Sequence, residues 1–402
     1  MPAAGSSPRA APVYLDHAAA TPLRPEVAMA MAEAQAAAFA NPSSPHALGR
    51  WARAILEDAR ERILSLLGGH VSGPHRDRLV FTSGATEANR LGMLGTAGTS
   101  PGRVLVSSRD HGSVTAAAAD LARRGWQRVM LPLDATFSAG SAAADEIRHG
   151  GPGMLCVTPV CGQTGTRETP AAVTAAVASG FLVHADATQS VGWDDRPFDA
   201  WPVTSLACAP HKFGGPRGTG ALVVRGGASL EPVVPGPQEL GARGGTEAVV
   251  LAVGFACALE LAAAERSRTS ARVASLRDRF ECGIVAAAAR AGIEAVVVAA
   301  DVPRAPHVAT VAFPHLDRQA VVMAADLAGV CLATGTACAS GSSEPSPALA
   351  AAGLPDHVAA GAVRASFGHD STEADVTAAL ERLVAVFHGL GRGGLQATAG
   401  GR

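Results

Sequence analysis

The sequence has few charged and few aromatic side chains: 17% of its 402 residues are charged, 4% are aromatic, and Tyr14 is the single tyrosine. The formal net charge is -2, which argues against a nucleic-acid partner, because gripping a phosphate backbone needs a basic excess. No uninterrupted apolar run is long enough for a membrane-spanning helix, and the first residues lack the apolar core of a secretory signal. We therefore expect a soluble globular protein with no nucleic-acid or membrane partner.

Cysteine pairs are also missing. The chain has 7 cysteines, an odd number, and none of them forms a Cys-x-x-Cys motif. This pattern argues against a disulfide framework and against a structural zinc site, so no metal is expected. Reduced thiols in the cytoplasm fit the sequence better.

From about residue 77 the chain alternates short apolar strands with helices, which predicts an α/β fold with a mostly parallel sheet covered by helices on both faces. Long helices are expected over 247–268 and 272–291, and after about Ser270 the pattern changes to a smaller α+β domain. The domains expected are an N-terminal segment, 1–19, packing with the small domain, with about the first 11 residues flexible; a large domain, 20–268; a small C-terminal domain, 269–390; and a disordered tail, 391–402.

A histidine followed by a lysine, His211 and Lys212, stands at the end of an apolar strand and before a turn rich in glycine and proline. A partly desolvated lysine in such a place is suited to a Schiff base with a carbonyl cofactor. Asp186 follows another strand, and a carboxylate there could keep the pyridine nitrogen of pyridoxal phosphate protonated. The alternatives are a solvated surface lysine and an aspartate that only caps a turn.

Two further segments could complete such a site. Ser83-Gly-Ala-Thr-Glu-Ala-Asn89 follows a predicted strand and opens a predicted helix, so its amides and the Thr86 hydroxyl could hold a phosphate. His111, at the end of the next strand, could stack on a planar ring. Both segments are also compatible with ordinary helix N-caps.

Seven motifs in order carry a resemblance to a known family. They are Tyr14-Leu-Asp-His-Ala-Ala-Ala-Thr-Pro22, Asn41-Pro-Ser-Ser44, Phe81-Thr-Ser-Gly-Ala-Thr-Glu-Ala-Asn89, Asp186-Ala-Thr-Gln-Ser190, His211-Lys212, Arg243-Gly-Gly-Thr246 and Thr334-Gly-Thr-Ala-Cys338. Together they resemble the cysteine desulfurases, a branch of the class V aminotransferases. The resemblance covers roughly residues 13–385 and implies a fold-type I, pyridoxal-phosphate-dependent transferase that works as a homodimer.

The resemblance also implies roles for single residues. Lys212 would form the Schiff base with pyridoxal 5'-phosphate, Asp186 would pair with the pyridine nitrogen, Gln189 would bond the ring oxygen, and His111 would stack on the ring. The remaining residues implied are Ala85, Thr86 and His211 for the phosphate, Thr246 for the phosphate of the other subunit, and Arg364 and Asn41 for the substrate, with Arg364 clamping its carboxylate.

Cys338 decides the reaction class that the resemblance implies. It lies in a polar, glycine-bearing stretch typical of a mobile loop, whereas Cys156, Cys208 and Cys257 lie in apolar runs. In the family reaction a loop cysteine attacks the sulfur of L-cysteine as a thiolate, keeps it as a persulfide and releases alanine, and His111 could serve as the neighbouring proton acceptor. The sulfur would pass to an acceptor protein, either a scaffold or a carrier.

Two other functions stay open on the sequence. One is a pyridoxal-phosphate β-lyase that cleaves C–S or C–Se bonds without needing Cys338. The other is a weakened paralogue that mainly binds a sulfur-acceptor protein. Departures from the family pattern motivate the second: Cys161-Gly-Gln-Thr-Gly165 replaces a segment with two asparagines, Ala209 replaces a serine, and Leu240 replaces an arginine. Each lost neutral hydrogen bond is worth about 0.5 to 1.5 kcal/mol, so cofactor binding should survive with weakened affinity.

Overall fold

The computed structural model describes residues 11–335 and 346–399. Its strands are β1 Val13–Tyr14, β2 Arg78–Thr82, β3 Arg103–Ser107, β4 Gln127–Leu131, β5 Gly153–Val157, β6 Leu182–Asp186, β7 Ser205–Cys208, β8 Gly220–Val224, β9 Val296–Val297, β10 Val308–Ala312, β11 Val330–Cys331 and β12 Ala362–Ser366. Its α-helices are α1 Pro25–Ala37, α2 Ala47–Leu67, α3 Ala85–Thr96, α4 Gly112–Arg123, α5 Gly140–Arg148, α6 Ala171–Ala178, α7 Pro197–Ala200, α8 Val249–Arg290, α9 Arg318–Leu327, α10 Pro347–Ala351, α11 Asp356–Ala360 and α12 Glu373–Ala399.

The central sheet has seven strands in the order β2-β8-β7-β6-β5-β3-β4. Strands β3 to β7 pair in parallel, and β8 runs antiparallel to both of its neighbours. Helices connect the parallel strands, as a parallel crossover requires. The predicted α/β class with a mostly parallel sheet is therefore confirmed.

Alternate residues of β2 show that both faces of this sheet are covered. Leu79 and Phe81 lie in the largest hydrophobic cluster, which includes Leu56 of α2. Val80 points to the other face and packs in a separate cluster with Leu91 of α3. Because side chains alternate across a strand, a strand that is apolar at every position needs a helix layer on each side.

Helix α8 is longer than the sequence indicates. It spans 42 residues, Val249–Arg290, without the break expected near Ser270. The residues at that point, Thr269, Ser270 and Ala271, include neither glycine nor proline, so nothing in the backbone stops the helix. The domain boundary predicted at 268/269 falls inside α8, and the division into domains stays a prediction.

The C-terminal part of the chain forms one small sheet of its own and a second one together with the N-terminal segment. Strands β12, β10 and β9 pair in antiparallel fashion, and β1 pairs in parallel with β11. Val13 and Leu15 of the N-terminal segment are buried in a cluster with Val330 and Phe367.

Helix α12 runs to Ala399 and so extends into 391–402, where the sequence predicts disorder. Leucine, glutamine and alanine in Leu395-Gln-Ala-Thr-Ala399 favour helix, although each glycine before them costs about 1 kcal/mol relative to alanine.

Candidate active site

Lys212 ends a short 3-10 helix, Pro210–Lys212, directly after β7. Its Nζ donates hydrogen bonds to the carbonyl oxygens of Ala18 at 2.8 Å and Ala19 at 2.9 Å. The side-chain amide of Gln189 also donates to the Ala18 oxygen, at 2.9 Å. One backbone carbonyl of the N-terminal segment therefore brings together the lysine and the glutamine that the sequence predicts in the cofactor site.

Asp186 is the last residue of β6 and is buried. Asn89 Nδ2 donates to its Oδ2 at 2.9 Å, and both the amide and the hydroxyl of Thr188 donate to its Oδ1. Because β6 and β7 are neighbouring parallel strands, Asp186 and the segment carrying Lys212 lie at the same edge of the sheet. The structure thus brings the predicted aspartate and lysine to one place.

His111 is the N-cap of α4, and its Nδ1 accepts a hydrogen bond from the Ser113 amide at 3.1 Å. The Ser113 hydroxyl contacts the same nitrogen at 2.8 Å. Since Nδ1 accepts, a neutral His111 ring carries its proton on Nε2. The capping alternative is therefore realised, while stacking on a ring stays a prediction.

The N-terminus of α3 faces open space at the same sheet edge. Gly84 is its N-cap, and no heavy atom of the described residues would lie within 4 Å of a Cβ added there. A Cβ on Gly220 of β8, in contrast, would lie 2.8 Å from the Gly84 Cα, so only glycine lets the two backbones approach this closely. Ala85 and Thr86 are the first residues of the helix, where amides point away from it and favour an anion.

His211 lies beside the lysine, and its carbonyl oxygen accepts hydrogen bonds from the amide of Thr21 at 2.8 Å and from its hydroxyl at 3.0 Å. Burial, followed by the charges of Lys212 and Arg217, lowers the pKa of His211 to about 4. The imidazole is therefore neutral near pH 7 and offers a hydrogen bond without adding charge.

Arg364 lies on β12 with 4% of its surface exposed. Its Nη1 donates to the Gly162 oxygen and its Nη2 to Asp16 Oδ1, each at 2.8 Å, while its buried Nε has no hydrogen-bond partner among the described residues. Asp16 belongs to the same N-terminal segment that holds Lys212. A segment of a few residues thus contacts both the lysine and the arginine, which the sequence did not indicate.

The other predicted residues are placed differently. Asn41 is exposed between α1 and α2, where its Oδ1 accepts from the Ser43 amide, and Thr246 is exposed just before α8. Their roles stay predictions. Cys338 lies outside the described residues.

Buried thiols line the sheet. Cys156, Cys161 and Cys208 are buried, and burial raises the pKa of Cys156 and of Cys208, which disfavours the thiolate. Cys156 and Cys208 are therefore suited to packing rather than to nucleophilic attack.

The departures from the family pattern have clear positions. A Cβ on Gly162 would lie 3.3 Å from Gln189 Cγ, so the glycine faces the predicted cofactor-binding glutamine. Ala209 is buried immediately before the 3-10 helix of Lys212. Leu240 is 53% exposed and has a φ of 60°, a left-handed conformation that β-carbon-bearing residues rarely adopt.

A family model described as aminotransferase class-V matches residues 13–379. The chain belongs to the class-V aminotransferases. Among curated proteins of this family, an IscS-like cysteine desulfurase from Mycobacterium tuberculosis is 36% identical over 384 residues, covering 92% of this chain and 95% of the relative. A cysteine desulfurase IscS from Dictyoglomus turgidum is 32% identical, covering 92% and 93%.

Solved structures of class-V aminotransferases agree in fold. A NifS-like protein from Rickettsia africae superposes with a TM-score of 0.82 at 22% identity, covering 94% of this chain and 99% of that chain. DndA from Streptomyces lividans gives 0.69 at 28% identity, covering 88% and 99%. The resemblance and the fold-type I architecture predicted from the sequence are thus confirmed.

Within residues 11–335 and 346–399, no group of three or more His, Cys, Asp and Glu side chains is arranged to hold a metal ion. None of the helices in the same ranges is long and apolar enough to cross a membrane.

Proposed function

We propose that the protein is a pyridoxal-phosphate-dependent cysteine desulfurase that converts L-cysteine to L-alanine and keeps the sulfur as a persulfide on Cys338. The observation that carries the proposal is the meeting of Lys212, Gln189 and Asp186 at one sheet edge in a chain whose relatives are named cysteine desulfurases. The β-lyase and binding-protein alternatives have no comparable support.

The residues present fit pyridoxal 5'-phosphate. Asp186 Oδ2 accepts one hydrogen bond from Asn89, so it keeps a lone pair for a protonated pyridine nitrogen. The open space at Gly84 and the first amides of α3 suit the phosphate, with Ala85, Thr86 and His211 around it. Lys212 would hold the cofactor, Gln189 would bond its ring oxygen, and His111 would stack on its ring.

Substrate binding would rest on Arg364. Within residues 11–335 and 346–399 its buried Nε has no hydrogen-bond partner, so the desolvation of this donor is uncompensated there, and a bound carboxylate would satisfy it. Asn41 is the second candidate for contact with the substrate. L-cysteine bound in this way would present its Cα and its sulfur to the edge of the sheet.

The cofactor, when bound, supplies an electron-withdrawing ring that makes the α-proton of the substrate acidic. Lys212 Nζ removes that proton, and the surrounding carbonyls of Ala18 and Ala19 keep the amine oriented. The sequence suggests His111 as a proton acceptor; because its Nδ1 is occupied by Ser113, a neutral His111 carries its proton on Nε2 and would donate a proton there rather than accept one.

The Cys338 thiolate then attacks the substrate sulfur. A new S–S bond forms as the C–S bond breaks, and the electron pair of the broken bond stays on the substrate carbon, which takes up a proton to become the methyl group of alanine. Lys212 returns the proton that it removed to the α-carbon. Cysteine and the Cys338 thiol thus become alanine and a Cys338 persulfide, so atoms and electrons balance without an external oxidant.

The remaining proposals concern partners and place. A sulfur-acceptor protein, a scaffold or a carrier, would take the sulfur from Cys338.

We further propose a homodimer in which Thr246 of each subunit reaches the phosphate of the other. Exposed apolar side chains on and between α1 and α2 support the dimer: Met29, Phe39, Leu48 and Trp51. The cytoplasm is the compartment proposed, because an odd number of cysteines suits a reducing environment.

The test is turnover of L-cysteine by the purified, cofactor-loaded protein with a reductant, with alanine, pyruvate and sulfide measured in parallel. Equal alanine and sulfide that are lost in Cys338→Ala support desulfuration. Cys282→Ala removes an exposed thiol on α8 and is the matched control, expected to keep full turnover. Pyruvate as the product, or full turnover by Cys338→Ala, would overturn the proposal.

A further inference from the structure

Asn89 is a fully buried amide whose polar atoms all have partners. It lies on α3 with 0% exposure. Its Nδ2 donates to Asp186 Oδ2 and to Ser113 Oγ, each at 2.9 Å, and its Oδ1 lies 3.0 Å from His184 Nε2. Two series of hydrogen bonds start from this amide: one connects it through His184 to Ser205 in the sheet, and the other connects it through Ser113 to His111.

The orientation of the amide follows from these partners. A carboxylate only accepts hydrogen bonds, so the atom of Asn89 that faces Asp186 is the nitrogen. Oδ1 then faces His184, whose Nε2 must carry the proton, and His184 Nδ1 accepts from the Ser205 hydroxyl at 2.8 Å. Burial lowers the pKa of His184 to about 4, which keeps the ring neutral and its Nδ1 an acceptor near pH 7.

The second series of hydrogen bonds reaches the exposed edge of the site. Ser113 Oγ accepts a hydrogen bond from Asn89 Nδ2 and therefore donates its own hydrogen bond to His111 Nδ1. One amide consequently touches the aspartate directly and the histidine through one hydroxyl. Its own position is fixed by β6 and β7 through His184 and Ser205.

We propose that Asn89 is a positioning residue for the cofactor: it holds the Asp186 carboxylate in the orientation that pairs with the pyridine nitrogen. Thr188 holds one carboxylate oxygen and Asn89 holds the other, so the plane of the carboxylate is fixed only when both contacts are present. The inference rests on the proposed function, because it assigns Asn89 a task in the pairing of Asp186 with the cofactor.

The experiment compares two ligands of the apoprotein by fluorescence titration: pyridoxal phosphate, and an analogue in which carbon replaces the pyridine nitrogen. The native protein should bind pyridoxal phosphate at least about 10-fold more tightly, since a hydrogen bond to a charged group is lost with the analogue. In Asn89→Leu this preference should fall to about 3-fold or less, through weaker binding of pyridoxal phosphate alone.

The control is Thr96→Val, which removes a buried hydrogen bond to the Gly92 oxygen on the same helix and touches none of these groups. It should keep the native preference. Asn89→Ser, whose hydroxyl is too short to reach Asp186, provides a second variant that should fold if the leucine variant does not.

Three results would count against the inference. An unchanged preference in both Asn89 variants, or equal weakening of both ligands, would reduce Asn89 to a structural residue while leaving the proposed function intact. A native protein that binds the two ligands equally would instead overturn the pairing of Asp186 itself, and this inference with it.

Discussion

Acidification should destabilise the protein through His307, which is buried beside the predicted cofactor site. The ring stacks on Trp193 with centroids 4.5 Å apart, and its Nε2 donates to Gln189 Oε1 at 3.1 Å, because the amide of Gln189 donates elsewhere. Nδ1 is buried and has no hydrogen-bond partner in the part of the chain that the structure describes. Burial lowers the pKa of His307 to about 3, and the charges of Arg167 and Arg364 add to the effect.

The sign of the effect follows from proton binding. The unfolded chain takes up a proton at His307 near the ordinary pKa of about 6.5, whereas the folded chain does so only near 3. Stability is therefore complete above about pH 6.5 and is lost progressively as the pH falls toward 3. Between pH 7 and pH 5 this one group should cost about 2 kcal/mol.

The measurement is the free energy of unfolding in urea at pH 7 and at pH 5, for the native protein and for His307→Gln. The variant keeps an N–H donor for Gln189 but cannot titrate, so its loss on acidification should be smaller by about 2 kcal/mol. His388→Gln on the exposed face of α12 is the control and should behave like the native protein. Identical losses in native protein and His307→Gln would refute the reasoning.

Two further predictions concern the assembly and the substrate clamp. Trp51→Glu places a charge in the exposed apolar surface of α1 and α2, so the variant should sediment as a monomer in analytical ultracentrifugation. Met323→Glu, at a site 65% exposed on α9, is the control and should remain a dimer. Asp16→Asn removes the negative charge that competes with the substrate carboxylate for Arg364, so the KM for L-cysteine should fall about 3- to 10-fold with kcat little changed. A rise in KM would contradict this and would mean that Asp16 chiefly positions the arginine.

The fold class can be predicted from the sequence because the hydrophobic patterns of strands and helices are local. Leu79 to Phe81 are apolar at every position, which already requires a helix on each face of the sheet, and both layers are present. The meeting of Asp186 and Lys212 is predictable for a similar reason. Each follows a strand, and the carboxyl ends of neighbouring parallel strands share an edge.

Contacts between segments that are distant in the sequence could not be predicted from such local patterns. Asp16 and Arg364 are 348 residues apart, and no periodicity or spacing links them. Asn89 lies inside a motif that the sequence singles out, yet its position toward Asp186 depends on how α3 rotates against the sheet. The sequence predicts two helices here because its pattern changes after about Ser270, but a change of pattern without glycine or proline does not end a helix, and α8 is continuous.

The departure at Gly162 is easier to understand once these distant contacts are known. Its carbonyl oxygen accepts from Arg364, and its missing side chain leaves room for Gln189, since even a Cβ would stand 3.3 Å from the glutamine. Gln189 is meanwhile fixed by His307 at its oxygen and by Ala18 at its nitrogen. The His307 ring and the Ala18 carbonyl therefore hold the glutamine where an asparagine is absent. The cost of the departure should accordingly lie closer to one hydrogen bond than to the loss of the site, about 0.5 to 1.5 kcal/mol.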